Sequence, residues 1–232
     1  MPNILDDHLT NFRSKCDWAL QVYFDTVSLF NENQVNGFTA DMKYMIIENI
    51  ILTVYSSWEK FLEDTFISYM QGNISENGTA ITVYVSPTSD DHAYNLIKNV
   101  TTYPDWTDVN KIMINAGNFF ENGGPFQLLL TLKGDINAVK KIRNAIAHTS
   151  RKAREDFENL VRGKVGHLPN DITPAKFVSE YKTGNRRADP TFFEYYVRAY
   201  LKTKYSCTIS TKSKWKQDGQ KQERTQQAYH SV

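Results

Sequence analysis

Two long stretches of apolar residues, spaced three and four apart, constrain this chain more than any other feature. Between residues 6 and 31, Leu9, Phe12, Cys16, Leu20, Tyr23, Phe24, Val27 and Phe30 recur at the interval that lines one face of an α-helix. Between 39 and 72, Ile47, Ile51, Val54, Trp58, Phe61 and Thr65 form a second stripe, widened by Met45, Ile50 and Leu62. Thr39 followed by Asp41 marks the start of that run. Gln71-Gly72 marks its end, because a glycine can take the left-handed conformation that closes a helix. Two rods of this length bury their faces best against each other, antiparallel. The expected class is all-α, and Trp58, lying on the stripe, reads as core rather than as a platform for a stacked base.

The remaining segments extend that class. Gly, Asn and Ser residues bracket Ile81-Thr82-Val83-Tyr84-Val85, a β-branched and aromatic run that allows one short β element around 80–86. A short helix is expected over 90–100. Another is expected from Pro104-Asp105-Trp106 towards Phe120, where Asn122-Gly123-Gly124-Pro125 breaks it. Gly134-Asp135 opens a helix through His148, with Ile136, Val139, Ile142 and Ile146 inward. Helix resumes from Arg151 and ends at Gly163 or Gly166. A short helix over 175–181 and a last one over 190–204 follow, the latter burying Phe192, Phe193, Tyr196, Val197 and Tyr200. These elements make one domain over 1–204, with a core over about 5–165 and a C-terminal helical extension over 166–204. A basic tail, 205–232, completes the chain.

Composition excludes several classes. With 41% hydrophobic and 23% charged residues, the chain is neither a disordered coat nor a fibre. Its two cysteines, Cys16 and Cys207, lie far apart, and its five histidines are scattered without an i,i+4 pair, so neither a disulfide scaffold nor a zinc site is expected. The first residues, MPNILDDHLT, lack the pattern of a signal peptide, and no apolar run is long enough for a membrane span; a cytoplasmic protein with no membrane partner is expected. The net charge of +1 argues against a polyanion partner until it is divided along the chain. Residues 1–139 carry seven Lys/Arg against seventeen Asp/Glu, net −10, whereas 140–232 carry twenty against nine, net +11. Such asymmetry suits a polyanion, although an acidic half and a basic half packed together would produce it too.

One constellation carries chemistry. Arg143-Asn144-x-x-x-His148 sits late on a predicted helix, behind Lys140 and Lys141. Asn144 and His148, at i and i+4, are expected on one face about 40° apart, and Arg143 can curl towards the imidazole along about 7.5 Å of axis. Arg offers a planar donor fork for phosphate oxygens, His moves a proton near neutral pH, and Asn can orient either. Such a set fits attack of a ribose 2′-OH on the adjacent phosphorus, and it requires no cofactor and no metal. The same string is also what an exposed Arg and a His resting on a helix C-terminus would give.

The phrase IRNAIAHTS, following a basic approach and a long helix containing YSSWEKFLEDTF, resembles the HEPN superfamily (higher eukaryotes and prokaryotes nucleotide-binding), in particular the stand-alone bacterial branch called RiboL-PSP-HEPN. The resemblance spans about residues 5–165. It implies an antiparallel helical bundle, a homodimer with two Arg/His motifs at one cleft, and a metal-independent endoribonuclease. Such proteins act in toxin–antitoxin or antiphage defence systems, with an antitoxin or defence protein as a further partner. Arg143, His148 and Asn144 would be catalytic. Glu59 and Glu63 would support them from the facing helix, unless they are simply part of a solvated acidic stripe with Asp64. Lys140 and Lys141 would guide the RNA backbone, although plain exposure accounts for those two equally well, and Arg151, Lys152 and Arg154 would extend the phosphate track. Toxins silenced by nucleotidylation carry a tyrosine two residues after the His; here that position is Ser150, so that route is not expected. The alternative is a non-catalytic, RNA-binding or regulatory HEPN protein, and a third class is a purely structural helical interaction module.

Overall fold

Residues 4–31, 36–74, 81–100 and 104–208 are described by a computed structural model. Helix α1 (Ile4–Asn31) lies antiparallel to α2 (Ala40–Met70), the most extensive packing in the molecule. Phe12 stacks on Phe61 with ring centroids 5.0 Å apart, and His8 near the start of α1 meets Ser68 near the end of α2. The buried positions of α1 are Leu5, Phe12, Cys16, Ala19, Tyr23 and Thr26. Leu20 and Val27 pack against the core while partly exposed, as the stripe suggested, whereas Phe24 is exposed and Ala19 and Thr26 are buried in addition. The buried Thr26 hydroxyl satisfies itself by donating to the Val22 carbonyl at 2.7 Å. Helix α2 begins and ends where its sequence signals lie: Thr39 accepts from the Met42 amide, and Gly72 takes φ +80° beyond the C-cap Gln71.

Helix α3 (Asp90–Val100) follows, and α4 (Val109–Phe119) starts five residues later than Pro104 suggested. Asp108 caps it by accepting from the Asn110 amide, while Asp105 bends the preceding turn by accepting from the Thr107 amide at 3.0 Å. The 81–85 run forms no strand. Its only pairing among the described residues is an isolated antiparallel bridge, Val83 to Phe120. Left-handed backbone at Asn122, Gly123 and Gly124 interrupts a 3-10 segment, Glu121–Leu128, as the glycine pair requires.

Helix α5 (Leu129–Ala147) begins six residues before Asp135. Gly134 costs such a helix about 1 kcal/mol, but Leu129 and Leu132 extend the inward stripe of Ile136, Val139 and Ile142 and outweigh it. Helix α6 (Arg151–Val165) starts at the Ser150 cap and ends at Gly166, φ +86°. Helix α7 (Pro174–Glu180) is capped by Thr173. Helix α8 (Phe192–Thr208) starts two residues after Pro190, because Thr191 and Glu194 cap it reciprocally: the Thr191 amide donates to Glu194 Oε2 at 2.9 Å, and Thr191 Oγ1 accepts from the Glu194 amide at 3.4 Å.

The C-terminal helices share the core of the first two. Tyr23 stacks on Phe193 at 4.2 Å, and Trp58, fully buried, stacks on Tyr200 at 5.0 Å. Truncating Trp58 to Ala would cost about 3–5 kcal/mol. The bundle thus holds eight α-helices and no sheet among the described residues, and no helix of them is long and apolar enough to cross a membrane. Helix α8 runs to Thr208, into the tail expected from 205, and residues 209–232 lie outside the described residues.

Candidate functional site

The C-terminal turn of α5 presents its side chains to the middle of α2. The 3.6-residue repeat that buries Ile142 and Val139 leaves Arg143 half-buried at the rim, beside Tyr55 and Glu59 of α2. Its guanidinium carbon stands 5.5 Å from the Tyr55 ring centroid, within cation–π range. Arg143 Nη1 donates to Asn144 Oδ1 at 3.2 Å and lies 3.1 Å from His148 Nε2.

His148 is not a further position on the helix face. With φ −130° and ψ 133° its backbone is already extended, although its amide still makes the last helical hydrogen bond, to the Asn144 carbonyl at 2.9 Å. The imidazole is therefore carried by the exposed His148-Thr149-Ser150 connection, and Arg143 bridges it to Asn144 in place of a shared i,i+4 face. Because an arginine N–H only donates, the ring in this contact accepts at Nε2 and carries its proton on Nδ1.

Three acidic residues, Glu59, Glu63 and Asp105, lie around the site. Glu59 is half-buried, and burial raises its pKa above the ordinary carboxylate range although the charge of Arg143 pulls the other way. Glu59 makes no ion pair with Arg143 among the described residues. Glu63 reaches the site only as a like charge felt by Glu59. Asp105, from the turn before α4, binds Lys111 at 3.2 Å and Lys140 at 3.6 Å. Burial opposes its ionisation, but the hydrogen bonds from Thr107, the charge of Lys140 and the contact with Lys111 together hold its pKa below the usual range. Thr107 also hydrogen-bonds the Tyr55 hydroxyl, whose pKa burial pushes up to about 12. Tyr55 is thus a neutral phenol that offers a ring, not a proton-transfer group, at neutral pH. Sequence reasoning missed both Tyr55 and Asp105. Tyr55 is indistinguishable from core on a helical wheel, and Asp105 looked like a helix-start residue.

The other candidates are placed differently. Lys141 is half-buried with no ion pair among the described residues. Arg151, Lys152 and Arg154 project from α6 into solvent, each closed onto a carboxylate four residues on: Glu155 at 2.7 Å, Asp156 at 2.8 Å and Glu158 at 3.0 Å. Arg151, Lys152 and Arg154 thus stand in an alternating-charge ladder along α6.

His8, which had no supporting neighbour in sequence, gains two from the fold: Nε2 lies 3.0 Å from Ser68 Oγ and Nδ1 lies 3.9 Å from Asp64. The order Ser-His-Asp is that of a nucleophilic triad, but Ser68 is buried inside α2, where the helix consumes the backbone N–H groups an oxyanion would need. It is a structural tie between α1 and α2. No group of three or more His, Cys, Asp or Glu side chains among the described residues is arranged to hold a metal ion. A small void lined by aliphatic and aromatic side chains, Ile51, Val54, Val139, Ile142 and Tyr200 among them, lies beneath the site and offers no polar group to a substrate.

Compared with known proteins, the chain matches no family model, no curated protein and no solved structure.

Proposed function

We propose that this protein is a metal-independent endoribonuclease of the HEPN type, acting as a homodimer in the cytoplasm, in a toxin–antitoxin or antiphage defence setting. The observation that carries the reading is the 3.1 Å contact between Arg143 Nη1 and His148 Nε2 on an exposed edge of the bundle. It brings a fixed phosphate-binding cation and a proton acceptor within reach of one phosphodiester.

In this reading, RNA phosphate takes the place of His148 on the Arg143 fork, freeing Nε2. Nε2 removes the proton from a ribose 2′-OH, the 2′ oxygen bonds to phosphorus, and Arg143 neutralises the charge gathering on the phosphorane oxygens. The 5′ oxygen leaves with a proton, giving a 2′,3′-cyclic phosphate and a 5′-hydroxyl. One chain supplies one imidazole at the motif, so the acid role falls to His148 of a second protomer. Asn144 holds Arg143 in orientation, and Glu59 biases it electrostatically. The alternative, a non-catalytic RNA-binding or regulatory protein, gains nothing from α6, whose exposed cations are already paired.

The test is cleavage of a mixed RNA pool in excess EDTA by the purified protein and by its His148→Ala and Arg143→Ala variants. Cleavage that survives EDTA and disappears in both variants supports the reading. RNA binding without cleavage supports the alternative.

A further inference from the structure

The Arg143 guanidinium stands over an aromatic ring whose hydroxyl is hydrogen-bonded at its far end. Tyr55 is 2% exposed, and the Arg143 guanidinium carbon stands 5.5 Å from its ring centroid. Its hydroxyl reaches Thr107, whose own hydroxyl and amide both donate to Asp105 Oδ1. Asp105 is pinned in turn by Lys111 and Lys140. A chain of contacts therefore runs from the turn before α4, across α2, to the motif on α5.

We propose that Tyr55, braced through Thr107 by Asp105, is a positioning residue that holds the Arg143 guanidinium beside the His148 imidazole, and that Lys140 serves this brace rather than the RNA backbone. The physical ground is preorganisation. An arginine has four rotatable side-chain bonds, and a guanidinium left to swing would have to be ordered anew at each turnover. A cation attracted to the face of a buried, hydrogen-bonded ring has less of that freedom left to lose. The catalytic consequence rests on the nuclease reading above, whereas the restraint of Arg143 does not.

Both are tested on the full-length protein with Tyr55→Phe, which keeps the ring, Tyr55→Leu, which removes it, and Thr107→Val, which cuts the brace. Each variant is checked for helical content by circular dichroism. The first readout is the Arg143 Nε–Hε resonance, assigned by its loss in Arg143→Lys. The second is steady-state RNA cleavage. In the wild type the Hε signal is expected to be displaced by the ring current and slow to exchange, and Tyr55→Phe, which keeps the ring but loses the bond to Thr107, is expected to match Thr107→Val. In Tyr55→Leu it moves to the position of a free arginine, kcat falls about 10- to 100-fold and KM changes less than about twofold. Thr107→Val shifts the signal part of the way and lowers kcat about two- to fivefold.

An unmoved Hε signal with unchanged kcat in Tyr55→Leu overturns the proposal, as does a Tyr55→Phe variant damaged as badly as Tyr55→Leu. If Tyr55→Leu does not fold, Thr107→Val decides: an unaltered Arg143 signal and rate there also overturn it. A wild type that cuts no RNA removes the nuclease reading alone, because the Hε signals still decide whether Tyr55 restrains Arg143.

Discussion

The last turn of α5 and the first turns of α6 are separated by three residues and handle their cations in opposite ways. On α6, Arg151, Lys152 and Arg154 each find a carboxylate one turn later on their own helix. On α5, Arg143 finds no such partner: position 147 is Ala and position 139 is Val. It turns instead to an aromatic ring, an amide oxygen and an imidazole. A count along the sequence scores both helices as basic, yet only one of them leaves a guanidinium uncommitted to a carboxylate. Local charge pairing, more than local charge density, separates the site from the surface beside it.

The comparison predicts unequal sensitivities. Arg143→Ala and His148→Ala should each lower RNA cleavage by at least about 10²-fold while leaving the fold intact, since under the proposed mechanism one removes the transition-state cation and the other the proton acceptor; initial rates on a single labelled RNA check this. Neutralising Arg151, Lys152 and Arg154 together to Gln should change the rate by less than about threefold and stability by roughly 0.3–0.5 kcal/mol per lost pair, the worth of exposed i,i+4 pairs. A triple variant as damaged as Arg143→Ala would erase the distinction between the two helices.

The fold was largely legible because its signals are local. Thr39, Gly72, Gly166 and the Asn122–Gly124 break act within a few residues of themselves, and each appears where the sequence places it. The helix starts that moved did so where a cap outranked a proline, at Asp108 and Thr191, or where packing outranked a glycine, at Gly134. For the site, Arg143, Asn144 and His148 were readable as a string, and they do meet. Tyr55, Thr107 and Asp105 were not, because they join the motif from two other elements and only tertiary packing brings them together. His148 was readable as the end of the helix, but not as a side chain that has left the helix face. Its amide completes the last hydrogen bond while its side chain leaves with the loop.

Two carboxylates give smaller effects with opposite signs. The pKa of Asp105 is held down in the folded state, so it contributes stability above the ordinary carboxylate range and that contribution is lost as pH falls through it. Asp105→Asn should therefore flatten the acid limb of a melting-temperature profile. The pKa of Glu59 is raised by burial, so its ionised form costs stability once the pH lies above the carboxylate range, and the cost vanishes in acid. Glu59→Gln should melt slightly higher than the wild type at pH 7 and equally near pH 3, while losing some cleavage because Arg143 is less well biased. If Glu59→Gln melts lower than the wild type at pH 7, then Glu59 holds Arg143 as a structural ion pair and the α5 site is closer to the α6 ladder than described.

The account turns on whether Arg143 and His148 act together on RNA. The most direct measurement is the rate at which the wild type, the two single variants and the Arg143→Ala/His148→Ala double variant cleave one RNA in EDTA, with the product ends identified. The account predicts cleavage leaving 2′,3′-cyclic phosphate and 5′-hydroxyl ends, lost in both single variants and no further reduced in the double, because groups that act as a unit are not additive. Undiminished cleavage in either single variant, or no cleavage by the wild type, would contradict it.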